Sequence, residues 1–238
     1  MLNHLKRLMY AVGVVLAALA VAAPAAAGDF MVTPYVWFEG LDGDGNVDGR
    51  LWAADADPFD VDHYDGGGAV TFEAKGERWA FLGSLAAIDV DQETVDVGTP
   101  SGAGNVTAEQ TMVEGLVGYR LTKGGLYVVG GARTLDYDVA LQAPVVASDS
   151  ADWIDPVVGL WYRADTPSWG ISVEGDIGVG GDSDDTYQVA SLFFWHFARS
   201  ASLTLGYKAL DMHFEDEGAG FRMKVVTKGP VAGIAFRF

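Results

Sequence analysis

The chain has no cysteine, which excludes a disulfide framework and any thiolate chemistry. It holds four histidines, so little imidazole is available for metal sites or general base work. Lys and Arg number 15 against 33 Asp and Glu, a net charge of −18 that excludes a polyanion such as nucleic acid as partner. No G-x-S-x-G motif occurs, so nothing marks a nucleophile elbow. Beyond the first 27 residues no run of 18 apolar residues exists, which excludes a later membrane-spanning helix. Helical periodicity is missing as well, although 50% of the residues are hydrophobic and mean hydropathy is positive. An apolar, exported, helix-poor chain of this kind is expected to be all-β.

The export reading comes from the N-terminus. Lys6 and Arg7 precede an apolar run over 8–22 and then Ala25-Ala26-Ala27, an n-region, h-region and small-residue cleavage site. Residues 1–27 are predicted to be a signal peptide and 28–238 a single barrel domain. An uncleaved anchor is the alternative that the length of the run allows.

The last strand states the pattern most clearly. Counting back by twos from Phe238 gives Phe236, Ile234, Ala232 and Pro230; the interleaved set is Arg237, Ala235, Gly233, Val231 and Gly229. Side chains alternate across a strand, so one face is apolar with an aromatic end and the other is small or charged. Related endings recur at Tyr119-Arg120-Leu121, Tyr162-Arg163-Ala164 and Trp195-His196-Phe197, spaced by 43, 33 and 41 residues. Phe72-Glu73-Ala74-Lys75 is a degenerate fifth copy. Each spacing is one strand pair of a meander, with an aromatic girdle outside and a basic residue turned inward.

Upward strands are predicted near 31–40, 79–89, 126–136, 169–179 and 203–212, and downward ones near 68–75, 111–121, 154–164, 187–197 and 225–238. Tight turns fall at 76–77, 122–125, 165–168 and 198–202. Long acidic loops are expected over 41–67, 91–110, 137–153, 180–186 and 213–224. The expected fold is a closed, antiparallel, up-and-down transmembrane β-barrel of about ten strands. Eight or twelve stay open, because the first loop has room for a short hairpin.

Parity assigns a lumen-lining set: Tyr35, Trp37, Glu39, Glu73, Glu114, Arg120, Arg133, Asp155, Trp161, Arg163, Glu174, Asp176, His196, Lys208 and Arg237. Acids and bases nearly balance in it. Two readings follow: a polar plug of ion pairs filling a narrow barrel, or a charge-lined pore with a basic ring at Arg120, Arg163, His196 and Arg237. His63, close to Asp57, Asp60 and Asp62, and His213, between Asp211 and Glu215, could form a rim hydrolase of omptin type. His213, however, lies on the outward parity. Asp42, Asp44, Asn46 and Asp48 have calcium-loop spacing, yet Val47 and Ala53 stand where that motif needs Gly and Glu. No catalytic residue, metal site or cofactor is expected.

Val32-Thr33-Pro34-Tyr35-Val36-Trp37, Leu41-Asp42-Gly43, 153–159, Gly206-Tyr207-Lys208 and the ending over 229–238 resemble a group of proteobacterial small outer-membrane β-barrel proteins. That group is similar in build to opacity-type and OmpA-type barrels. The resemblance implies an outer-membrane location, contact with membrane lipid and lipopolysaccharide, and insertion by the outer-membrane assembly machinery. That machinery would read Phe236 and Phe238 as its signal. Members of the group mostly lack an assigned activity; the role expected for this chain is non-enzymatic, envelope-structural or at the surface, with a narrow pore or the rim hydrolase as alternatives.

Overall fold

A computed structural model describes residues 29–47, 50–56, 64–96, 103–143, 145–181, 183, 185–216 and 221–238. The segment 1–27 expected to be a signal peptide and His63 lie outside the described residues. The chain forms β1 (Asp29–Trp37), β2 (Gly40–Val47), β3 (Arg50–Ala56), β4 (Tyr64–Lys75), β5 (Trp79–Asp96) and β6 (Ala103–Arg120). It continues with β7 (Leu126–Ala143), β8 (Val145–Asp165), β9 (Trp169–Gly178), β10 (Asp185–His196), β11 (Ala201–Asp216) and β12 (Phe221–Arg237). Successive strands from β4 to β12 pair antiparallel, and β1 closes the ring between β12 and β4.

The first outer connection does contain a hairpin, but it adds no stave. β2 runs along the outer half of β12, from Gly40 opposite Lys228 to Asn46 opposite Arg222. β3 pairs back on β2 and reaches β5 at Ala53 opposite Asp96. At the outer end β2 and β3 thus hold the places that β1 and β4 hold at the other, so the closed barrel has ten staves. The Phe38 N–H donates to the Pro230 carbonyl at 2.9 Å and carries the pairing across the break.

Tight turns close the end that holds both Asp29 and Phe238. Gly76 N–H donates to the Trp79 carbonyl at 2.8 Å, and Thr166 N–H to that of Trp169 at 2.7 Å. Gly125 has φ +89°, and a Cβ there would lie 1.9 Å from the Arg163 carbonyl oxygen, so conformation and space both demand glycine.

The outward face carries an apolar belt. Trp79, Tyr119, Tyr162, Trp169, Trp195 and Phe236 ring its tight-turn edge, and Phe81, Val117, Leu160, Ile177, Leu205 and Ile234 are exposed above them. On β6 and the turn beyond it the belt runs from Leu121 to Val113. At ~3.3 Å per residue and a tilt of ~40°, those nine residues stand about 23 Å tall.

Above the belt the alternation persists with its sense inverted. β11 turns Ser202, Thr204 and Lys208 inward at its lower end, and Leu210 and Met212 inward higher up. Its outward row changes from Leu205 and Tyr207 to Asp211, His213 and Glu215. On β7 the inward row passes from Arg133 to Leu135, Tyr137 and Val139, while Thr134, Asp136 and Asp138 face out. This inversion corrects the expected loops. Most of 91–110, 137–153 and 213–224 is strand: beyond the apolar belt the wall continues with polar residues outside and an apolar core within.

Candidate functional site

The lumen is built in three tiers. In the outer one, Trp37, Leu135, Tyr137, Trp153, Leu210, Met212, Met223 and Val225 form one buried apolar cluster. Phe214 stacks on Trp153 there at 4.9 Å between ring centres.

The middle tier is charged. Arg133 has no exposed surface, and its Nε donates to Glu114 Oε2 at 2.8 Å. Its Nη2 donates to Asp176 Oδ1 at 2.6 Å and its Nη1 to Thr186 Oγ1 at 3.4 Å. Gln188 closes the other side, its Nε2 donating to Asp176 Oδ2 at 3.2 Å and Glu114 Oε1 at 3.5 Å. The Lys208 ammonium lies 4.9 Å from the centre of the Trp37 ring. Asp155 accepts from the backbone N–H and the hydroxyl of Ser183, at 3.1 and 2.8 Å. Glu39 and Tyr35 are buried and Glu174 is half-buried.

The third tier sits at the tight-turn end, below an apolar layer in which Tyr127 and Trp161 pack with ring centres 4.8 Å apart. Its hub is Asp165. Arg163 donates to it twice, at 2.9 and 2.8 Å, and the Arg163 Nη1 lies 3.7 Å from Glu73. Arg237 donates to Asp165 at 2.9 Å and Lys75 at 3.3 Å, while His196 Nε2 stands 3.6 Å away. Asp29 pairs with Lys75 at 3.0 Å and Arg237 at 3.3 Å. The Arg163 guanidinium also lies 4.0 Å from the centre of the Phe194 ring. Asp165 lies beyond the aromatic ring, outside the belt. Burial there opposes its charge, but the Arg163 hydrogen bonds and the charges of Arg163, Lys75 and Arg237 outweigh it. The carboxyl is held well below the usual carboxylate range.

The four basic residues placed together by the repeat therefore divide. Arg163, His196 and Arg237 converge on Asp165, whereas Arg120 hydrogen-bonds the Tyr127 hydroxyl at 2.9 and 2.6 Å. Asp165, Lys75, Gln188 and Thr186 are participants that sequence reasoning missed. Parity carried the signal for Asp165 and Lys75, which follow Arg163 and Glu73 by two residues.

The calcium-loop spacing lies on a strand: Asp42, Asp44 and Asn46 belong to β2 and alternate along one face instead of wrapping an ion. Asp48 lies outside the described residues. His213 is in register with Asp185 and Lys224 on the outward row. Among the described residues no group of three His, Asp or Glu is arranged to hold a metal.

The architecture is that of a closed β-barrel with an apolar exterior. The outer membrane protease OmpT from Escherichia coli shares the fold, with TM-score 0.55 and 8% identity over 88% of this chain and 97% of that one. Ail of Yersinia pestis aligns at TM-score 0.44 and 12% identity, over 89% of this chain and 99% of its own. The translocator domain of autotransporter NalP from Neisseria meningitidis aligns at TM-score 0.42 and 11% identity, over 97% and 96%. No protein-family profile and no curated sequence matches the chain. At these identities the likeness establishes fold alone.

Proposed function

We propose that the protein is an integral outer-membrane β-barrel with a filled lumen and a non-enzymatic role, as a structural or surface element of a Gram-negative envelope. The exposed belt supports insertion, since its height of about 23 Å matches the lipid-facing band of ~25 Å in this class. The tight turns then face the periplasm and the extended collar faces outward.

One observation carries the filled-lumen reading. Each tier holds inward side chains with no exposed surface: Leu210, Met212 and Met223 in the outer cluster, Arg133 in the middle, Trp161 and Phe194 below. A continuous aqueous channel would wet at least one side of each ring of residues it passed. Planar-bilayer recording of the refolded barrel tests this. The expected result is no steady single-channel conductance; stable, ion-selective openings would replace the plug with the narrow pore.

A further inference from the structure

At the tight-turn end a cleft of about 380 Å³ opens between Lys75, Arg120, the turn over 123–125, Tyr127 and residues 163–165, with the carboxylates of Asp29 and Asp165 also in its lining, both engaged by Lys75 and Arg237. That volume lies within the range of small-ligand sites. Its charge is unlike the rest of the molecule. In a chain of net charge −18, Arg78, Lys123 and Arg199 join Lys75, Arg120 and Arg163 at this one end.

The basic side chains lining the cleft are not equivalent. Lys75 and Arg163 are neutralised by Asp29, Asp165 and Glu73. Arg120 is not: among the described residues its hydrogen bonds go only to neutral oxygens, the Tyr127 hydroxyl and, at 3.2 Å, the Gly76 carbonyl. These bonds, with the guanidinium carbon 5.3 Å from the Tyr127 ring centre, fix its orientation in advance. Lys123 is exposed on the next turn, and Gly124 and Gly125 leave the backbone beside it uncovered.

We propose that this cleft binds a small oxyanion-bearing ligand, phosphate or carboxylate, through Arg120 and Lys123. A guanidinium fixed in place, with an exposed ammonium on the adjoining turn, suits an oxyanion that is gripped on one side and covered on the other. That the ligand comes from the periplasmic side rests on the orientation proposed above; binding itself does not.

The test uses the full mature barrel refolded in non-ionic detergent and titrated calorimetrically in chloride buffer. The probes are inorganic phosphate, an N-acetylated dipeptide with a free carboxylate, and micelles doped with phosphatidylglycerol or with phosphatidylcholine. Saturable binding is expected for at least one oxyanion probe. Lys123→Gln, on an exposed turn that folding tolerates, should weaken it about tenfold, the size of one charge-assisted hydrogen bond. Arg120→Gln should weaken it at least as much. A response to soluble phosphate or dipeptide assigns a soluble ligand, and a response only to phosphatidylglycerol assigns a lipid headgroup. Absence of saturable binding to every probe overturns the proposal, as does equal binding by wild type and Lys123→Gln. Orientation is read separately: because the chain lacks cysteine, Lys123→Cys can be labelled by an impermeant maleimide on intact and on permeabilised cells. Labelling of intact cells would overturn the orientation and leave the binding result standing.

Discussion

Replacing Arg133 by methionine keeps an unbranched chain of similar length and removes one charge. Left behind are Glu114 and Asp176, which Arg133 contacts directly, and among the described residues neither has another cation in hydrogen-bond contact. Gln188 reaches both, through a single amide. Breaking a buried ion pair by removing one partner costs about 3–5 kcal/mol, and zero exposure of Arg133 places this site at the full end of that range. The loss should be reversible by chemistry alone. Adding Glu114→Gln and Asp176→Asn replaces both carboxylates with neutral amides of the same shape, and the triple variant should recover most of the stability. Urea unfolding of barrels refolded into phospholipid vesicles, followed by tryptophan fluorescence, measures all three proteins. A single variant within ~0.5 kcal/mol of wild type, the range of an ordinary surface change, would refute the reasoning. So would a triple variant no more stable than Arg133→Met.

Gly125→Ala should destabilise by about 1–3 kcal/mol, through a left-handed residue and a Cβ against the Arg163 carbonyl, and should lower the thermal midpoint. Deleting Phe238, whose N–H donates to Phe30 at 2.9 Å, should reduce outer-membrane levels and leave chain in the periplasm. Unchanged levels by fractionation and unchanged heat-modifiable migration would refute an assembly role. Because the folded-state pKa of Asp165 is depressed, its contribution is complete above the unfolded carboxylate value near ~3.9 and fades as pH falls through the folded one. The urea midpoint of wild type should therefore fall between about pH 4 and 2, closing its gap to Asp165→Asn.

About ten staves are legible in the sequence because the downward strands repeat one ending, an aromatic and then a basic residue on opposite parities beside a short turn, spaced one strand pair apart. Tyr119-Arg120 and Tyr162-Arg163 both lie beside β7, where Arg120 stands opposite Tyr127 and Tyr162 opposite Leu126. The upper halves are not legible in that way. On β7 a search for outward apolar residues ends at Ala132, since Thr134, Asp136 and Asp138 follow on the same row and read as loop. The inverted reading was available in Leu135, Tyr137 and Val139, but only to a pattern allowed to change sense within one strand. The site divides in the same manner. Inward parity marks Arg163 and Glu73 from sequence, whereas their meeting with Asp29, Lys75 and Arg237 around Asp165 depends on closure of β1 between β4 and β12. No local spacing encodes that closure.

The inversion along β11 also acts as a check on register. A slip of one residue against β10 or β12 would turn Lys208 out into the apolar medium and, in the same movement, bring Leu210 and Met212 to water. In a strand with a single sense, a slip can be softened where one environment tolerates it. In the proposed membrane setting two solvents examine the same strand and penalise the same error at opposite ends, so proofreading of the pairing is written into the chain itself.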